Sequence, residues 1–288
     1  MSLRPSPIAG TWYPADAREL AASVDRFLAQ AEVTPPNGRV IGILAPHAGH
    51  RYSGAVAAHA FKCLAGSQAN LAAVVSPMHH PHPAPVLTTA HTGYATPLGE
   101  IPVDAAALDQ LNAGLEARIG LSLARVRRDE EHSLEIELPF LQRVLGAFYL
   151  LPVMILDQTL EVAEALGHAL GEVLADRRAV LVASSDLSHF YPQPVAEALD
   201  REMLARIVAF DPPAVMRAEE QGRGFACGRA AVAAVLWAAR DLGANRVSLL
   251  HYATSGAVTG DLDSVVGYGA AVIWQEAGTM PGREDRPR

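Results

Sequence analysis

The chain has 288 residues, half of them hydrophobic, enough to bury a substantial core in one large domain or two small ones. Acidic residues outnumber basic ones, 31 to 23, for a net charge of -8, which argues against a non-specific nucleic-acid binder because such proteins need a positive field to release counterions. Two cysteines, Cys63 and Cys227, are too few for a disulfide framework, and Lys62, the only lysine, follows no Gly-rich phosphate loop.

From the N-terminus, Met1-Ser2-Leu3-Arg4-Pro5 lacks a long apolar stretch, so no signal peptide is expected. No apolar run reaches the roughly 18–20 residues needed to span a bilayer, and a cytoplasmic location is the default expectation. Residues 6–14 are rich in turn formers and aromatics, and Asp16 can cap a helix over 18–31, where Leu20, Val24, Phe27 and Leu28 fall at helical spacing. A Pro/Gly loop follows at 34–38. Three apolar runs, at 40–44, 71–75 and 179–183, are bounded by turn residues and read as buried parallel strands. Helices are expected at 55–64, 134–145, 162–174, 195–209 and 230–241, and further strands at 149–155, 247–252 and 265–273. This alternation implies an α/β fold, a three-layer αβα sandwich around a largely parallel sheet. A single domain is expected over 1–277, with 278–288, polar and containing Pro and Gly, as a disordered tail.

The strand ends carry the chemistry. In an open parallel sheet the carboxyl ends of the strands line one edge, and ligands bind there. If the three runs are parallel, His47, His79 or His80, and Asp186 with His189 share that edge. A single histidine is most often a loop residue with a satisfied hydrogen bond. Three strand ends carrying histidine, two of them with a proline just upstream, point instead to a shared site. Cys227 opens the run 228–240. A free cysteine is usually a small buried hydrophobe, yet a helix N-terminus favours the thiolate, the form that binds metal or attacks carbon. Cys63, mid-helix, reads as core. The acidic run at Glu130-Glu131-His132-Ser133 reads as a solvated helix start capped by Asp129 or Ser133, with His132 as a candidate proton carrier. The late loop 254–261 fits no nucleotide fingerprint and reads as a structured loop near the site.

A set of short elements appears in order along 5–274: Ala9-Gly10-Thr11-Trp12-Tyr13-Pro14, Ala45-Pro46-His47-Ala48-Gly49, Tyr52-Ser53-Gly54 and His79-His80. Glu131-His132-Ser133, Pro139-Phe140-Leu141, Ser184-Ser185-Asp186 with His189, Cys227-Gly228-Arg229, and Gly260-Asp261 before Val265-Val266-Gly267-Tyr268 continue it. Together they resemble the Memo family, which shares a fold with class III extradiol ring-cleaving dioxygenases. Met78 and His50-Arg51 depart from the family's usual residues and are expected to alter the pocket lining only. The resemblance implies one metal ion held by His47, His80 and Cys227, with His132 and His189 handling protons and Asp186 beside the metal. His79 is expected to face away, since adjacent residues after a strand tend to point in different directions. Two imidazoles and a thiolate leave coordination positions open, and they suit Fe(II) or Cu, with Zn as the other option. The implied function is a non-heme metal-dependent oxidoreductase acting on a small-molecule or peptide ligand, with a functional link to a radical-SAM protein. The alternatives are a non-enzymatic metal- or peptide-binding protein, and a hydrolase with Cys227 as nucleophile and His189 or His132 as base.

Overall fold

In the computed structural model, which describes residues 2–277, strand β1 (Leu3–Arg4) precedes helix α1 (Ala17–Gln30). The expected tail at 278–288 lies outside the described residues. Asp16 caps α1, its carboxylate accepting the Arg18 and Glu19 N–H groups. Next come β2 (Gly38–Ala45), α2 (His50–Lys62), β3 (Leu71–Pro77), the short strands β4 (Val86–Thr89), β5 (Gly93–Thr96) and β6 (Gly99–Pro102), α3 (Ala105–Ile119) and β7 (Ala124–Val126). A 3-10 turn, Glu135–Glu137, leads into α4 (Leu138–Leu145), followed by β8 (Tyr149–Ile155), α5 (Leu160–Leu174), β9 (Ala179–Ser184) and β10 (His189–Tyr191). Then follow α6 (Gln193–Val208), α7 (Pro212–Glu220), α8 (Arg229–Asp241), β11 (Arg246–Thr254), the short α9 (Gly256–Thr259) and β12 (Val265–Glu276).

Two expected helices differ in more than one or two terminal residues. α2 starts at His50 rather than 55, because its first turn is polar and invisible to a reading based on apolar spacing. The helix expected over 134–145 divides into the 3-10 turn and α4, since Pro139 has no N–H and is accommodated only in a first turn. Among the described residues no helix is long and apolar enough to cross a membrane.

The large sheet runs in the order β10-β12-β2-β9-β3-β8-β4-β7, with β11 also paired to β12. Its centre is parallel: β2, β9, β3 and β8 all run the same way. Antiparallel pairing begins at β12 on one flank and β4 on the other. A separate three-stranded sheet joins β1, β5 and β6. Alternation along the central strands feeds two cores. Ala73 and Val75 of β3 pack with residues of α3, α5 and α8, whereas Ala72 and Val74 pack with those of α1, α2 and α4. These are the three layers, and strands buried on both faces explain the continuous apolar runs. The helix layer containing α5 and α8 is tight: a Cβ on Gly167 would lie 2.6 Å from the Trp237 Cβ.

Register aligns the functional strand ends. Ala45 of β2 pairs with Ser184 of β9, and Val75 of β3 pairs with Ala183. The residues just beyond, His47, His79 and Asp186, therefore leave the sheet at one edge.

Candidate metal centre

His47 emerges from β2 into a buried position, 2% exposed. Its backbone N–H donates to Asp186 Oδ1 at 2.8 Å, and its ring Nδ1 lies 3.0 Å from Ser184 Oγ. With Nδ1 so engaged, Nε2 faces Cys227, whose Sγ is 3.1 Å away. The ligand atoms of His47, His79 and Cys227 all lie within 4.8 Å of one another. Two donors of one kind and one of another thus meet at a point, each imidazole offering one free nitrogen.

His79, not His80, is the imidazole brought against His47 and Cys227. The physical reason is Glu131. Its carboxylate accepts the His79 backbone N–H at 2.5 Å and lies 2.9 Å from His79 Nδ1. That grip turns the His79 ring inward, with centroids 5.3 Å from His47 and 4.8 Å from His132. His80 is exposed. Glu131 itself is 1% exposed, so the acidic run is no solvated helix start at this residue. Burial alone would raise its pKa, but hydrogen bonds from His79 and the Ser133 N–H outweigh burial and hold it well below the carboxylate range. A carboxylate behind a ligating histidine fixes the ring and raises its basicity, the usual support for a metal-bound imidazole.

Cys227 sits two residues before the first residue of α8, its N–H bonded to the Asp186 carbonyl at 3.2 Å. The helix N-terminus was expected to favour thiolate. Burial dominates instead and pushes the thiol up, with the Asp186 charge adding to it. The turn is made possible by Gly228, where a Cβ would fall 2.6 Å from the Ser184 carbonyl oxygen. Gln158, in the loop after β8, clasps the turn by donating to the Cys227 carbonyl at 2.7 Å.

The remaining site residues surround this cluster. Asp186 is 4% exposed; burial lifts it to about 7, against the pull of N–H groups from His47 and Ala48. The His132 ring centroid is 5.5 Å from that of His47, and the ring packs tilted against Trp12, 4.1 Å between centroids and 34° between planes. Burial lowers the His132 pKa to about 4. His189, in β10, is lowered by burial too and is near enough to depress the basicity of His47. Its ring lies 5.6 Å from Phe225. Both histidines are therefore neutral at pH 7. Ser184 carries a further relay: its Oγ lies 2.6 Å from Glu137 Oε1 and donates to the Ser133 carbonyl at 2.7 Å. Glu137 is buried and raised well above the carboxylate range by desolvation. Glu131 and Ser184 stood within the short elements that carry the resemblance but with no role given to them, and Glu137 and Gln158 carried no distinguishing signal, because their roles arise from contacts between distant segments.

Comparison with known proteins covers nearly the whole chain. A family model described as Memo-like protein matches residues 4–272. A MEMO1 family protein of Nitrosopumilus maritimus is 32% identical over 274 residues, 93% of this chain and 98% of that protein. One from Methanopyrus kandleri is 34% identical over 282 residues, covering 94% and 98%. One from Methanosarcina mazei is 34% identical over 281 residues, covering 95% and 100%.

Proposed function

The chain belongs to the Memo-like protein family, and from that premise we propose that it is a non-heme metal-dependent oxidoreductase related to extradiol dioxygenases, with one transition-metal ion on His47, His79 and Cys227. The observation that carries this reading is the convergence of His47 Nε2 on Cys227 Sγ, 3.1 Å away, while Ser184 and Glu131 occupy the Nδ1 atoms of the two imidazoles. The donor set fits a metal: the buried thiol loses its proton readily only to a cation. Two imidazoles and a thiolate suit iron(II) or copper first and zinc next. The ion would supply a Lewis-acidic centre with coordination positions open to a small-molecule or peptide ligand.

The protein's own groups do the rest. His132 and His189, neutral at pH 7, take a proton from a bound substrate at a ring nitrogen and return it. Trp12, packed at a tilt against His132, limits the movement of that ring. Asp186 fixes the His47 backbone and, lying near its midpoint at neutral pH, can hold a proton beside the cluster. The raised thiol argues against a hydrolase with Cys227 as free nucleophile, since the thiolate is the reactive form.

Metal analysis of protein purified without oxygen tests the assignment. One ion per chain is expected, and His47→Ala and His79→Ala weaken binding by about 10- to 100-fold or more, whereas His80→Ala retains it. His132→Ala and His189→Ala keep the metal while oxygen-consuming turnover drops about 100-fold. Full occupancy in His79→Ala would sink the ligand set, and a tightly held metal without turnover would leave a metal-binding protein.

A further inference from the structure

The loop that delivers Glu131 and His132 has no regular structure of its own. Between β7 and the 3-10 turn, residues 127–134 form neither strand nor helix. Arg4, from the start of the chain, holds this loop. Its Nε and Nη2 donate to Asp129 at 2.9 and 2.6 Å, and its Nη1 donates to Glu135 Oε2. Nη2 also donates to the Glu131 carbonyl at 2.7 Å. A single guanidinium thus spans the loop from Asp129 to Glu135 and grips Glu131 between them. Only a planar fork with five donors can do this; an ammonium cannot.

Arg4 is anchored in turn. β1 pairs with β5, Leu3 opposite Gly93, and the guanidinium lies 5.0 Å from the Tyr94 ring centroid. The Arg4, Asp129 and Glu135 side chains are at most 3% exposed. The second oxygen of Glu135 accepts from Tyr13 at 2.6 Å and from Ser6. The buried charges are hydrogen-bonded on all sides, the condition under which such a network specifies one geometry.

We propose that Arg4 is a positioning residue of the metal centre: by holding the Glu131 backbone it fixes the carboxylate that orients His79. This rests on the ligand set proposed above. The path is short and continuous. The Glu131 carbonyl is on Arg4, and its carboxylate receives the His79, His132 and Ser133 N–H groups at 2.5, 3.0 and 2.9 Å. The same carboxylate holds His79 Nδ1 at 2.9 Å. Movement of the loop would release the His79 ring, and with it the nitrogen that points at His47 and Cys227.

The test uses the full chain with Arg4→Met and Arg4→Lys, reading imidazole nitrogen NMR spectra of the metal-free protein and then zinc affinity by competition with a chelator. Wild type is expected to show His79 fixed as the Nδ1–H tautomer. Both variants average between tautomers, and zinc binding weakens about 10-fold. Arg4→Lys keeps the buried positive charge and supplies a folded variant should Arg4→Met not fold. Arg177→Met, which breaks the ion pair with Asp104 near the amino end of β9, serves as a control that melts earlier but changes neither readout. A folded Arg4 variant with wild-type His79 signals and zinc affinity would overturn the positioning role. Should wild type bind no metal while the His79 tautomer still responds to Arg4, the positioning stands and the ligand set falls.

Discussion

His50 shows what burial does to one side chain. It is 3% exposed, with Nε2 bonded to the Ile136 carbonyl at 3.1 Å and Nδ1 without a partner among the described residues. Burial lowers its pKa from 6.5 to about 4. Between these values the unfolded chain binds the proton and the folded protein does not, so His50 favours folding above pH 6.5 and that stability is lost as the pH falls toward 4. Going from pH 7 to pH 5 is expected to remove about 2 kcal/mol through this residue alone. Urea unfolding of wild type and His50→Gln at both pH values checks it: the variant should lose less, and equal losses would discard the account. At the same scale lies the limit of sequence reading. That His47 and Asp186 share an edge was legible from strand ends, and Cys227 was joined to His47 by the family resemblance. Which of His79 and His80 turns inward was not, because Glu131 decides it from another segment.

At the scale of elements, the approach of α8 to the end of β9 sets where Cys227 sits. Gly228 is the residue that permits it, with Ser184 O only 2.6 Å from a would-be Cβ. Gly228→Ala is expected to push the turn off the strand, costing about 1–3 kcal/mol. Zinc affinity should fall along with stability as Cys227 moves away from His47; unchanged affinity would show that the turn tolerates the methyl group. The elements themselves were unequally legible. The central strands stood out because burial on both faces leaves uninterrupted apolar runs. α3 carries signals of its own, an Asp104 cap, Leu108, Leu111 and Leu115 on one face, and Gly120 in a left-handed C-cap. The stretch around it, β4 to β7, consists of strands of three or four residues with too little periodicity to set the helix off from its surroundings.

For the whole molecule, the three-layer order was foreseeable from alternating strands and helices, while the antiparallel flanks were not, since β12 is nearly as buried and apolar as the parallel strands beside it. The position of β2 has a consequence for how the chain is made. It lies between β9 and β12, so both neighbours are synthesised long after it. A nascent chain carries β2 with two open edges until β9 arrives and with one until β12 closes the other, a template for unwanted pairing. His47 and Cys227 are separated by 180 residues, so an ion bound on the proposed ligands would stabilise a chain already folded rather than nucleate its folding. A chain ending after Asp241 retains every proposed ligand but lacks β11 and β12. It is expected to aggregate on expression, bind no zinc and show no cooperative thermal transition; a soluble, zinc-binding product would show that the last strand is dispensable. On this order of synthesis the step that completes the sheet is the pairing of β12 with β2, a contact between the last strand made and one of the first.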